Sequence, residues 1–129
     1  MAQLLVARIG DVPAERGYRV LVDRLWPRGV KKVGAPWEEW IPAVAPSTGL
    51  RRWYGHDPAR YQEFALRYRE ELSRQVGSPD FERLAGLVAA RTVVLLTATR
   101  DPQWSHLPVL AEFLRDRPVG GPGGAADPV

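Results

Sequence analysis

Residues 92–98, Thr-Val-Val-Leu-Leu-Thr-Ala, constrain this chain more than any other stretch. The run is apolar and rich in β-branched residues, with no polar alternation. A strand of that kind is covered on both faces, as in a parallel sheet with a layer on each side. Two further apolar runs, residues 3–9 and 19–23, supply neighbours. Between them lie Gly10, Asp11, Pro13 and Gly17, a loop too short for a crossover with its own helix. The first two strands are therefore antiparallel neighbours or not neighbours at all.

The remaining segments read mostly as helices. Trp37, Trp40 and Ile41 fall at helical spacing, and Pro42 limits that helix to a turn or two. Ser47 caps a short helix that buries Leu50 and Trp53 or Tyr54, with Gly55 as its stop. Asp57 and Pro58 open the best helix, with Tyr61, Phe64, Ala65, Tyr68 and Leu72 on one stripe. Glu63–Arg67 and Arg67–Glu71 are i,i+4 pairs on its wet side. Ser78 and Pro79 start another helix, with Phe81, Leu84, Ala85, Leu87 and Val88 inward. Ser105 caps a last one carrying Leu107, Leu110, Phe113 and Leu114.

Strands alternating with helices define the α/β class. The expected architecture is a single three-layer domain over residues 1–117, a short, largely parallel sheet flanked by helices and Rossmann-like. Residues 118–129 read as a disordered Gly/Pro-rich tail. A length of 129 residues, 45% of them hydrophobic, fits one domain with one sizeable core. The sequence holds no apolar run near membrane-spanning length and no secretion signal at its start, and it lacks cysteine. The expectation is a cytoplasmic protein without disulfides or thiol chemistry.

Ligands of such folds bind outside the carboxyl ends of the strands. Two strands end alike: residues 20–22 run into Asp23-Arg24, and residues 93–98 run into Thr99-Arg100-Asp101. If the strands are parallel, both pairs share one edge. Each aspartate would then hold a guanidinium by a charge-assisted bond, leaving other donors for an anion. Arg28, on the Pro27–Gly29 turn, reaches toward the same edge, and the helix start capped by Ser47 adds backbone donors. The plainer alternative is that such pairs are loop-fixing ion pairs, and that Trp26 and Trp53 are lids on the core. Thr97 and Thr99 could supply hydroxyls to a ligand, though threonine is simply common in strands.

His56 and His106 are the only histidines. His56, between two helices, is the candidate general acid or base, or else caps the preceding carbonyls. With no cysteine and two distant histidines, no metal site is expected. The chain carries no P-loop, G-x-S-x-G or G-x-G-x-x-G motif, and any cofactor is unknown from the sequence.

The stretches GYRVLVDRLWPRG, APSTGLRRWYGHDPARYQEFALRYREEL and VVLLTATRD resemble the YeaO-like family, a bacterial group of unknown function. The resemblance covers residues 4–117. It implies a small cytoplasmic α/β protein with no established activity. It also implies shared polar residues at Arg8, Asp23, Arg24, Arg28, Ser47, Arg51, His56, Asp57, Arg100 and Asp101. The chain departs from the family pattern at Trp104, Ser105, His106 and Leu107, where His-Asn-(Asn or His)-Ala is usual. It departs again at Thr97, where tyrosine is usual.

Three functions follow as expectations. The first is binding of, or action on, a small phosphorylated or carboxylated molecule. Arg24, Arg28 and Arg100 would clamp the anion, with Asp23 and Asp101 orienting them, His56 as acid or base, and Ser47 and Arg51 nearby. The second is weak nucleic-acid binding, suggested by a sequence pI near 9.7 and by arginines interleaved with tryptophans. Against it, a net charge of +3 is a small surplus and acidic residues are scattered through the helices. The third is a regulatory module that binds a partner without chemistry. Neither oligomeric state nor ligand identity can be read from the sequence.

Overall fold

The computed structural model describes residues 2–116. The tail expected over 118–129 lies outside the described residues. Strands β1 (Leu4–Arg8), β2 (Tyr18–Leu21), β3 (Glu39–Trp40) and β4 (Val93–Thr97) form one four-stranded sheet. All its pairings are parallel, in the order β1-β4-β2-β3. Every residue of β4 is buried, as its unbroken apolar run demands.

β4 separates the first two strands, pairing Leu4 and Tyr18 on either side of Val93. The second of the two sequence alternatives therefore holds. The loop from β1 to β2 returns past the start of β4 with only a single 3₁₀ turn, Ala14–Arg16. Because β1 and β2 run in the same direction, residues 9–17 must return the length of a strand, about 16 Å, and cross two strand spacings of about 4.8 Å. At about 3.3 Å per residue they reach about 30 Å, enough without a helix. Gly17 makes the crossing possible: a Cβ there would stand 2.9 Å from Thr92 Cγ2 and 3.0 Å from its carbonyl oxygen.

The four α-helices are α1 (Thr48–Tyr54), α2 (Tyr61–Gln75), α3 (Pro79–Ala90) and α4 (Leu107–Arg115). All four contribute to one core cluster with Leu4, Val20, Val22, Val93 and Leu95 of one sheet face. On the other face Leu21, Val94 and Leu96 are covered by Trp26, Val30, Ala35, Trp37 and Val12, all from loops. The three layers are thus helix, sheet and loop. Trp26 stands edge-on to Trp37 and Trp40 at 4.9 and 5.4 Å and donates its indole N–H to the Val30 carbonyl at 2.6 Å.

The helix expected around Trp37–Ile41 is not formed; the segment becomes β3 instead. The Glu38 N–H donates to Arg19 O at 2.8 Å and the Ile41 N–H to Leu21 O at 2.9 Å. The free edge of β2 takes up these donors, and Pro42 prevents a helix from continuing through them. Glu38 then pairs with Arg19, and Glu39 with Arg83.

The caps of α1 and α3 lie where the sequence puts them, whereas α4 has His106 at its N-cap, with Ser105 one residue before it. Ser47 accepts from Leu50 N at 3.2 Å, Ser78 from Phe81 N at 3.3 Å, and Ser105 Oγ from Leu107 N at 3.1 Å. Gly55, with φ 55°, closes α1 in the left-handed region. Asp57 and Pro58 begin a 3₁₀ turn that leads into α2. Phe64, Ala65, Tyr68 and Leu72 are buried along one stripe of α2. Arg67 pairs with Glu63, but Glu71 does not complete the expected second pair. It accepts instead from Ser47 N at 2.8 Å and Ser47 Oγ at 2.6 Å.

Candidate functional site: a cleft at the carboxyl edge of the sheet

Because β2 and β4 are parallel neighbours, their carboxyl ends open onto the same edge. A cleft of about 330 Å³ lies there, lined by residues that include Asp23, Arg24, Arg51, Tyr54, His56, Thr99 and His106. The segments after β2, before and through α1, and after β4 supply them. A second cleft of about 430 Å³ shares His56 and Thr99 and adds Pro58, Arg100, Asp101 and Trp104.

The base of the first cleft is Asp23 and His106. Asp23 Oδ2 accepts from the Ala98 N–H at 2.8 Å and so ties the end of β2 to the end of β4. Oδ1 is buried, without a hydrogen-bond partner among the described residues, and lies 3.7 Å from His106 Nε2. His106 Nε2 is 2.9 Å from the Val22 carbonyl. A carbonyl only accepts, so Nε2 carries the proton. Burial pushes the imidazole below its ordinary pKa, against the opposing pull of the Asp23 carboxylate. His106 therefore sits in the wall as a neutral donor to the main chain.

Arg24 is directed at main chain as well. Its Nε donates to Pro46 O at 3.0 Å and its terminal nitrogen to Ala45 O at 2.8 Å. It fastens the end of β2 to the segment that enters α1. The expectation that each aspartate orients the neighbouring arginine is not met. Asp23 bonds Ala98 rather than Arg24, and among the described residues no ion pair joins Arg100 to Asp101. Adjacent residues leave the chain in different directions, so a dipeptide does not make a pair by itself.

Arg51 is exposed on α1 and lines the cleft, and its guanidinium has no ion-pair or hydrogen-bond partner among the described residues. Ser47 and Arg28 are not in the lining. The Ser47 hydroxyl is committed to Glu71 and the α1 cap, so the chain's own carboxylate occupies that helix start. Arg28 is exposed on its turn, and Arg8 is exposed at the end of β1.

His56 forms the rim between the two clefts. Its φ of 58° makes it the one non-glycine residue in the left-handed region among the described residues. It follows Gly55, which has the same conformation, and the two turn the chain from α1 toward α2. Its ring centroid is 6.0 Å from that of Tyr54. No group hydrogen-bonds to it among the described residues, so nothing fixes its tautomer as an acid–base partner would.

Sequence reasoning did not place Tyr54 or Trp104 in the site. Thr99, offered there as a ligand hydroxyl, does line both clefts, and His106, marked only as a departure from the family pattern, lines the first. The Tyr54 hydroxyl, raised in pKa by burial, donates to Trp104 O at 2.6 Å. Tyr61, pushed up to about 12 by burial, donates to Ser105 O at 2.8 Å. These two tyrosines hold the segment after β4 against the helices. The tyrosines on the α2 stripe were legible as core, but nothing local showed that their hydroxyls would anchor the cleft wall.

Among the described residues no cluster of three or more histidine, aspartate or glutamate side chains is placed to hold a metal, and no helix is long and apolar enough to cross a membrane.

Fold and cleft define the class: a small α/β protein with an all-parallel sheet and a ligand-sized opening at its carboxyl edge. The chain belongs to the inactive DUF488-N3 subclade, whose family model matches residues 3–120. It is 45% identical over 114 residues to the uncharacterised protein Rv3073c of Mycobacterium tuberculosis, covering 87% of this chain and 93% of that one. It is 38% identical over 105 residues to the uncharacterised protein YeaO of Escherichia coli, covering 80% and 90%. The likeness to the YeaO-like family is thus shown. No solved structure matches the chain.

Proposed function

We propose that the cleft binds a small anionic molecule, phosphorylated or carboxylated, without transforming it. One observation carries the reading. Five arginines elsewhere, Arg19, Arg60, Arg67, Arg69 and Arg83, are paired with carboxylates, and the other described arginines without such a partner are exposed outside this lining. Arg24 and Arg51 line the cleft, and neither has a carboxylate partner among the described residues. Two guanidiniums at a concave edge outweigh the single Asp23 carboxylate in the lining and favour an anion. Arg51, whose donors are free, makes the contact, and Arg24 contributes charge from the wall.

Binding without chemistry is favoured by the unpartnered His56 and by the main-chain bond of His106. The description of the family as an inactive subclade agrees with it. The reading takes the protein to work in the cytoplasm, where such metabolites are abundant. The nucleic-acid alternative is weakened at the two stretches that suggested it: Trp26 is packed in the loop layer and the Trp53 ring is covered by Arg60 and Arg67.

The test is calorimetric titration with inorganic phosphate and with ribose 5-phosphate, on the parent protein and on Arg51→Gln. Saturable binding that weakens about tenfold or more in the variant supports the site, as for loss of a charge-assisted contact. Absence of saturable binding of both ligands refutes it.

A further inference from the structure

The second cleft adds a chemistry that the first lacks. Trp104 lines it and is 41% exposed, unlike Trp37, which is buried in the loop core. Its ring meets Tyr61 edge to face, with centroids 5.4 Å apart. Its main chain is fixed by the Tyr54 hydroxyl bond, so the ring is carried on an anchored support rather than on a free loop. Arg100, in the same lining, is exposed and has no partner among the described residues. An exposed indole beside a free guanidinium is a surface on which a flat aromatic ring stacks.

The two clefts are adjacent. His56 and Thr99 line both, and Tyr54 of the first is hydrogen-bonded to the carbonyl of Trp104 in the second. Each is within the usual size of ligand pockets, about 300–1,000 Å³. A ligand that fills both has an anion at one end, an aromatic ring at the other, and a polar linker at the waist. There the Thr99 hydroxyl and the His56 imidazole have no hydrogen-bond partners among the described residues.

Resting on the anion site proposed above, we propose that the ligand class is the nucleoside monophosphate. Its phosphate lies toward Arg51, its sugar passes His56 and Thr99, and its base stacks on Trp104 beside Arg100. The mononucleotide is the complete ligand, rather than one unit of a longer strand.

The experiment compares adenosine 5′-monophosphate, guanosine 5′-monophosphate and ribose 5-phosphate by calorimetry on the full chain. The base should tighten binding about tenfold or more over ribose 5-phosphate, the effect of one stacked base. Trp104→Ala should erase that difference, each ligand being measured on the same variant. The Tyr54 bond goes to the Trp104 main chain, so the substitution does not remove it; Trp104→Phe, which keeps an aromatic face, should restore part of the difference. Equal affinity for nucleotide and ribose 5-phosphate, or a difference that survives Trp104→Ala, overturns the inference while leaving the anion site standing. If phosphate, ribose 5-phosphate and both nucleotides all fail to bind, the anion site and the inference fall together. A 5′-phosphorylated tetranucleotide bound more than about tenfold tighter than the monophosphate overturns it in favour of a strand end.

Discussion

β2 and β4 each lead into one acidic and one basic residue, Asp23-Arg24 and Arg100-Asp101, and the two pairs meet opposite fates. Asp23 and Arg24 are built into the frame: one joins β2 to the end of β4, the other joins β2 to the entry of α1. Arg100 and Asp101 are exposed, with neither ion pair nor side-chain hydrogen bond among the described residues. The chemistry of the pairs is the same; their neighbours differ. β2 ends beside main-chain groups of buried residues that need partners, whereas β4 continues into a solvent-facing 3₁₀ turn. A charged pair at a strand end therefore acts as architecture or as a ligand contact according to what the other elements bring to it.

The largest expected effect is at Arg24. Arg24→Ala leaves the Ala45 and Pro46 carbonyls, both on buried residues, without their donor. Each lost partner costs about 1–3 kcal/mol, so the urea midpoint should fall clearly. Arg24→Lys keeps the charge but loses the fork, and should fall between the two. An unchanged midpoint in Arg24→Ala would put this residue on a level with Arg100 and dissolve the contrast.

Asp23→Ala comes next, because it orphans the Ala98 N–H; about 1–3 kcal/mol is expected in the same unfolding assay. Asp23→Asn retains an acceptor for that N–H and should recover most of the loss.

His106 ties the frame to pH. Burial lowers its folded pKa below the ordinary 6.5, so the unfolded chain takes up a proton first as pH falls. Stability should therefore be full above pH 6.5 and decline as pH drops from there toward the folded value. His106→Gln should flatten that part of the profile. Acid loss from Glu38 and Glu39 sets in lower, because Arg19 and Arg83 hold these carboxyls below the usual range of 4.5. A profile of the parent protein with no decline between pH 6.5 and 4.5 would contradict the buried neutral imidazole.

The smallest effects belong to the exposed pair. Arg100→Ala and Asp101→Ala should each change stability by less than about 0.5 kcal/mol. A larger destabilisation in either would show that the β4 end is structural too.

Much of the local structure was legible without coordinates. Ser47, Ser78 and Gly55 announced helix ends because a cap is satisfied within a few residues of itself. The stripe of α2 showed because helical periodicity repeats along one segment. The segment around Trp37–Ile41 misled for the complementary reason: its spacing suited a helix, but its N–H groups found β2 first. The loop layer over the second sheet face had no local signature, because loop residues follow no period.

The candidate site divides in the same way. The sequence alone determined that a strand covered on both faces ends in Thr99-Arg100-Asp101, that another apolar strand ends in Asp23-Arg24, and that the chain is of the α/β class. Those features reside in single segments, where burial period and residue type are enough. Only the tertiary structure decided that β4 lies between β1 and β2 and so brings the two ends together. It also decided that Asp23 serves Ala98, that Arg24 serves Ala45 and Pro46, and that His106 closes on Val22. These bonds join residues 75, 21, 22 and 84 positions apart. A side chain's partner at such separations is set by which buried main-chain group is left unsatisfied beside it, and that is known only once the helices and the sheet have packed.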